Sequence, residues 1–133
     1  MNIFKGTIQN LSVSGNLTLL RISVNDSLIT AIVIDTPETS SNLKVNNPIT
    51  VIFKETEVII GKGDTSQISM RNQFKGVIKS VESKELLSKL TVETSVGDIT
   101  SIITSNAVNQ LDLAYGVEVT AMVKTNEIML QND

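Results

Sequence analysis

The chain of 133 residues contains no cysteine and no histidine. Without thiols or imidazoles it cannot build the usual zinc and copper sites, a thiol nucleophile, or a Ser-His or Cys-His catalytic pair. Aromatic residues make up only 3% of the chain, too few for a base-stacking platform, and the net charge of −3 argues against a general binder of nucleic acid or anionic membranes. The sequence therefore predicts no enzymatic activity, no nucleic-acid partner and no membrane partner.

Long apolar runs are also missing. No stretch approaches the roughly 20 apolar residues of a membrane-spanning helix, and the N-terminus lacks the charged-then-apolar pattern of a signal peptide. We therefore expect a soluble cytoplasmic protein. With 41% hydrophobic and 19% charged residues, the chain has the composition to build a core and is not a disordered tail.

An internal repeat organises the residues that are present. When the chain is shifted by 70 residues, segment 4–61 aligns with segment 74–131 without gaps, giving thirteen identities in 58 positions. We call residues 1–61 copy one and residues 68–133 copy two, and we interpret the polar stretch 62–67 as the linker between two modules.

Each copy contains short β-branched runs bounded by Asn, Gly, Ser and Asp, such as LTLLRISV and LITAIVI in copy one. These runs predict an all-β fold with short helices, in which about five strands per copy close a small barrel. One helix per copy is expected, capped by Asp35 or Thr36 with Pro37 at its first position, and by Ser105 in copy two. Because a barrel of ~60 residues is marginal alone, we expect the two modules to pack on each other and on further subunits.

Copy two carries polar residues whose combination is unusual. The chain has two arginines, and Arg21 lies in mid-strand, where a solvated position is expected, whereas Arg71 lies in SMRN (69–72) just before a strand. Lys124 interrupts an apolar strand pair, and Thr104 ends a strand at the predicted helix cap. Singly, these residues are typical of a polar lead-in and an edge lysine. Together they form a donor-rich set without a carboxylate, which favours a deprotonated, doubly charged tetrahedral oxyanion.

Three motifs of copy two, ISMRNQFKG (68–76), DITSIIT (98–104) and VKT (123–125), together resemble the Mop or TOBE module of molbindins. Copy one resembles a weaker second module, which gives the tandem "di-Mop" layout. The resemblance implies two OB-like five-stranded β-barrels that exchange strands and bind molybdate or tungstate, as ligand, between modules. It implies an oxyanion-binding set without direct protein–metal ligands, made of Ser69, Met70, Arg71, Thr104, Ala107, Lys124 and Thr125.

Copy one lacks most of this set. At the shift of 70 residues, Met1 stands where Arg71 stands and Ile34 replaces Thr104, so that Lys54 alone survives as a possible half-site. The sequence therefore predicts that copy two supplies the full sites and that copy one serves as scaffold or half-site.

By resemblance, the expected function is intracellular binding of molybdate or tungstate for storage, buffering or homeostasis. The alternative is the ligand-sensing domain of a molybdate-responsive transcription regulator or of a transporter ATPase. No helix-turn-helix pattern precedes copy one and no Walker A motif occurs in the sequence, so we expect the free-standing binder. The resemblance also implies a homo-oligomer, with a trimer favoured over a dimer.

Overall fold

The structure, a computed structural model, describes residues 1–132 of the chain. Copy one forms β1 (Asn2–Ser14), β2 (Leu17–Val24), β3 (Ser27–Val33), β4 (Pro48–Phe53) and β5 (Ile59–Gly61). Copy two forms β6 (Asn72–Ser83), β7 (Leu87–Thr94), β8 (Gly97–Thr104), β9 (Glu118–Val123) and β10 (Met129–Asn132). A helix, α1 (Ser105–Gln110), follows β8, and short 3₁₀ helices span Glu55–Glu57 and Thr125–Glu127. The predicted all-β class with five strands per copy is confirmed.

The ten strands form two antiparallel sheets, and each sheet takes one edge strand from the other copy. The strand orders are β10-β4-β1-β2-β3 in one sheet and β5-β9-β6-β7-β8 in the other. Met129 of β10 pairs with Ile52 of β4, and Ile59 of β5 pairs with Met122 of β9. The exchange of strands between modules, expected from the family resemblance, is thus present within one chain. Each sheet requires both copies to be complete.

The core lies inside the two curled sheets and runs continuously through both copies. On β2, every second side chain points inward, so that Leu20, Ile22 and Val24 are buried, as the period of two in a strand requires. At Gly76 the neighbouring strand passes so close that an added Cβ would lie 2.2 Å from the backbone oxygen of Glu93. A glycine is needed there for steric reasons.

Two asparagines that the sequence analysis did not single out join the copies. Asn72 accepts a hydrogen bond from the Thr30 N–H at 2.7 Å and donates one to the Thr30 carbonyl at 2.8 Å. Asn2 makes the same pair of bonds with Thr100, at 2.8 and 2.9 Å. Thr30 and Thr100 lie on β3 and β8, which are sheet-edge strands. Each side-chain amide therefore takes the place of a neighbouring strand and caps an edge that would otherwise be unpaired.

The helix predicted in copy one is wrong. Residues 36–47 form turns, in which the Thr36 N–H donates to Thr39 Oγ1 at 2.9 Å and the Ser40 N–H donates to the Thr36 carbonyl at 2.8 Å. Short hydroxyl side chains compete for backbone groups in this way and weaken a helix. The cap predicted for copy two is off by one residue, since Thr104 is the N-cap and Ser105 is the first helical residue.

The turns before β4 and β9 contain Asn46 and Gly116, which both have positive φ, 72° and 86°. Among residues 1–132, no helix has the length and apolar character to cross a membrane.

Candidate functional site

A cavity of about 100 Å³ lies at the end of β6 and β9. The register pairs Asn72 with Val123, so Arg71 and Lys124 come side by side just beyond the last paired residues. The cavity is lined by Ser69, Met70, Arg71, Lys124 and Thr125. The structure thus brings together five of the seven residues predicted for oxyanion binding.

The cavity is cationic and open to an anion. The ion pairs found among residues 1–132 are Met1 with Glu55 and Lys79 with Asp98, so neither Arg71 nor Lys124 is neutralised by a carboxylate of the described chain. Among residues 1–132, no carboxylate lines the cavity. Two cations without partners are favourable for a dianion, because charge-assisted hydrogen bonds are roughly twice as strong as neutral ones.

The loop that carries Ser69 and Arg71 is held by side-chain hydrogen bonds. Gln73 donates to the Met70 carbonyl at 3.0 Å and accepts from the buried Thr65 hydroxyl at 2.8 Å. The backbone around the cavity is therefore fixed before any ligand arrives, which reduces the entropy lost on binding.

Thr104 and Ala107 do not line this cavity. Thr104 Oγ1 accepts the Ala107 N–H at 3.1 Å as the cap of α1, so the Ala107 amide, expected to bind the anion, already has an acceptor. Strand β8, which ends at Thr104, packs against the 3₁₀ helix Glu55–Glu57 of copy one, whereas β3 packs against the 3₁₀ helix Thr125–Glu127 of copy two. Within one chain, Thr104 therefore lies on the strand that packs against the copy-one 3₁₀ helix and does not line the Arg71 cavity.

The predicted half-site residue Lys54 has acidic neighbours. Glu55 follows Lys54. Its carboxylate accepts a hydrogen bond from the α-ammonium group of Met1 and forms an ion pair with it. This hydrogen bond is the main cause of the lowered pKa of Glu55, with a further contribution from the charge of Lys89. The Lys54 N–H donates to Glu57 Oε1 at 2.9 Å. Copy one thus differs from copy two by one added carboxylate, Glu55 in place of Thr125, as well as by the donors that it lacks.

A larger groove of about 430 Å³ lies on the outer face of β6 and β9, but it contains both Lys75 and Glu118. Its mixed charge makes it less favourable for an anion than the smaller cavity. No group of three or more Asp or Glu side chains within residues 1–132 is arranged to hold a metal ion.

Several known proteins are similar to this chain. Residues 68–130 match the TOBE domain, and the range spans the whole cavity lining. Molybdenum-pterin-binding protein 3 of Clostridium pasteurianum is 34% identical over 64 residues, which cover 47% of this chain and 94% of that protein. Molybdenum-pterin-binding protein MopB of Rhodobacter capsulatus is 30% identical over 105 residues, which cover 77% of this chain and 38% of MopB.

Among solved structures, the cytoplasmic molybdate-binding protein ModG with molybdate bound superimposes with a TM-score of 0.91 over 99% of this chain and 96% of ModG, at 24% sequence identity. Its tandem fold is the fold described above. The chain covers 94% of molybdenum-pterin-binding protein 3 at 34% identity. It therefore belongs to the family of Mop molybdenum-pterin-binding proteins built from TOBE modules.

Proposed function

We propose that this chain binds molybdate or tungstate as an intact oxyanion in the cavity between Ser69–Arg71 and Lys124–Thr125, and that it stores or buffers the ion in the cytoplasm. The observation that carries the proposal is that Arg71 and Lys124 line the same cavity, which no carboxylate of residues 1–132 lines. The names of the relatives support the choice of a molybdenum ligand. The name of the structural neighbour supports molybdate and the cytoplasm.

The donor set suits a tetrahedral dianion. A planar guanidinium and an ammonium supply two positive charges and only hydrogen-bond donors, and the Ser69 and Thr125 hydroxyls add two more donors. Each charge-assisted bond contributes roughly 1.5–3 kcal/mol. An anion that keeps a proton at neutral pH, such as phosphate in part, offers fewer acceptors to the same groups and is expected to bind less well.

The dimensions of the cavity favour the bare oxyanion over a pterin-bearing ligand. Drug-sized ligands occupy pockets of roughly 300–1,000 Å³, and this cavity of about 100 Å³ has no aromatic side chain in its lining on which a pterin ring would stack. The relatives are named as binding proteins, and the proposed role requires no catalysis.

A homo-oligomer, with a trimer favoured, completes the proposal. Large apolar side chains are exposed in a single chain, among them Ile34 at 75%, Leu86 at 77% and Tyr115 at 81%. Exposure of this kind is typical of protein–protein interfaces. Association would also allow Thr104 of one protomer to reach the Arg71 cavity of its partner, which the single chain does not permit.

Calorimetry with molybdate, tungstate, sulfate and phosphate, read beside the mass of the assembly in solution, tests the proposal. We expect molybdate and tungstate to bind, phosphate to bind more weakly, and the mass to be a multiple of the 14.4 kDa chain. Absence of binding by all four anions would refute the function, and a monomer in solution would refute the oligomer.

A further inference from the structure

The segment around Lys54, which we call the copy-one end, has the same backbone conformation as the segment around Lys124, which we call the copy-two end. The side chains of the two segments differ. Lys54 and Lys124 have the same extended conformation, with φ and ψ of −80° and 150° in copy one and −70° and 146° in copy two. Each lysine precedes a 3₁₀ helix of three residues, whose first residue is Glu55 in copy one and Thr125 in copy two. Glu55 and Thr125 therefore hold equivalent places in their own copies.

At the copy-two end, Thr125 and Arg71 line an open cavity. At the copy-one end, Met1 aligns with Arg71 in the repeat, and its ammonium group is paired with Glu55. The negative charge that a bound oxyanion would bring to copy two is thus supplied in copy one by a side chain of the protein itself. The lowered pKa of Glu55 agrees with this pairing, since a nearby cation stabilises the ionised carboxylate.

A second carboxylate acts in the same direction. Glu57 accepts the Lys54 N–H at 2.9 Å and so removes one backbone donor from this end. The repeat aligns Glu57 with Glu127, but Glu127 makes no such bond to Lys124. The two carboxylates that follow Lys54, Glu55 and Glu57, are therefore both bonded within the chain itself.

We infer that Glu55 is a built-in counter-anion that closes the copy-one end of the chain to oxyanions, which restricts binding to the copy-two end. The inference rests on the proposed function for its ligand. A dianion that approached Lys54 would meet the like charge of the next residue, Glu55, and would have to displace the pair between Glu55 and its ammonium partner. Strand β8, which packs against the 3₁₀ helix of Glu55, ends at Thr104, whose hydroxyl is a further donor on this side of the chain. With Glu55 replaced, the copy-one end retains cations and a hydroxyl.

Glu55→Thr, which introduces the residue of copy two, tests this inference alone and in the Arg71→Ala background. Calorimetry with molybdate should show one additional binding event per chain in Glu55→Thr. The double variant should retain that event and bind at least tenfold more tightly than Arg71→Ala alone. Glu55→Asp keeps the charge and should leave the end closed. Glu118→Gln removes the same charge at the far end of β9 and should change nothing.

The outcomes separate the inference from the proposed function. An unchanged number of molybdate ions in Glu55→Thr, or an equal gain in Glu118→Gln, would overturn the inference while wild-type binding upheld the function. A wild-type chain that binds no anion would refute the function, whereas molybdate binding by the double variant would still support the role of Glu55. Should Glu55→Thr fail to fold by circular dichroism, Glu55→Gln replaces it with the same expected results.

Discussion

Removing the Asn72 side chain is expected to destabilise the whole chain rather than one copy. Asn72 is 1% exposed and satisfies both backbone groups of Thr30 on a sheet edge, at 2.7 and 2.8 Å. A buried donor or acceptor left without a partner costs about 1–3 kcal/mol, and two are left in Asn72→Ala. Allowing for partial access of water to Thr30, we expect a loss of about 2–4 kcal/mol in the free energy of unfolding.

Urea denaturation followed by circular dichroism measures this loss. Because each sheet contains strands of both copies, we expect one cooperative transition, with the midpoint lowered and the slope unchanged. Asn2→Ala should have a similar effect, since Asn2 makes the equivalent bonds to Thr100. The exposed Asn126 serves as control, and its replacement by Ala should cost less than about 0.5 kcal/mol.

A loss in Asn72→Ala no larger than that of the control would refute the reasoning about the capped edges. Two separate transitions in the wild-type chain would refute the claim that the exchanged strands make one folding unit.

Three further predictions concern stability. Gly76→Ala should destabilise the fold by more than about 2 kcal/mol, because the new Cβ would lie 2.2 Å from the Glu93 oxygen, and a melting temperature within a degree of wild type would contradict this. Ser101→Ala should cost about 1–2 kcal/mol in urea, because it removes the 2.9 Å bond to the buried Val58 carbonyl, and a neutral effect would disprove it. Glu55 has a folded-state pKa below its ordinary 4.5, so its stabilising pair is present above pH 4.5 and is lost as the pH falls through the lowered value. The free energies of unfolding of wild type and Glu55→Gln should therefore differ at pH 7 and converge in acid. A difference that stays constant with pH would contradict the pairing.

The repeat and its β-branched runs were sufficient to predict the two barrels, because strand position follows from local pattern and from turn residues such as Gly116. The predicted helix at Pro37 was wrong for a local reason as well, since Thr and Ser hydroxyls bind the backbone that the helix needed. The error of one residue at the α1 cap has the same origin, because two neighbouring hydroxyl residues were equally suitable.

The candidate site was predicted in part. Arg71 precedes β6 and Lys124 follows β9. The two residues lie side by side because β6 and β9 pair as antiparallel neighbours in one sheet. The position of Thr104 depends on which copy faces β8, and this is set by long-range contacts such as Asn2 with Thr100. The sequence did contain one signal for these contacts between copies. Asn2 and Asn72 are identical at the shift of 70 residues, although they lie just outside the aligned segments.

The most direct test of the central claim is the titration of molybdate into the wild-type chain, Arg71→Ala and Lys54→Ala. If the cavity between Arg71 and Lys124 binds the dianion, Arg71→Ala should lose about 2–5 kcal/mol of binding free energy, or roughly 30-fold to several thousand-fold in affinity. Lys54→Ala should lose less than about 0.5 kcal/mol, because its end is neutralised by Glu55. Equal losses in the two variants, or unchanged affinity in Arg71→Ala, would contradict the account.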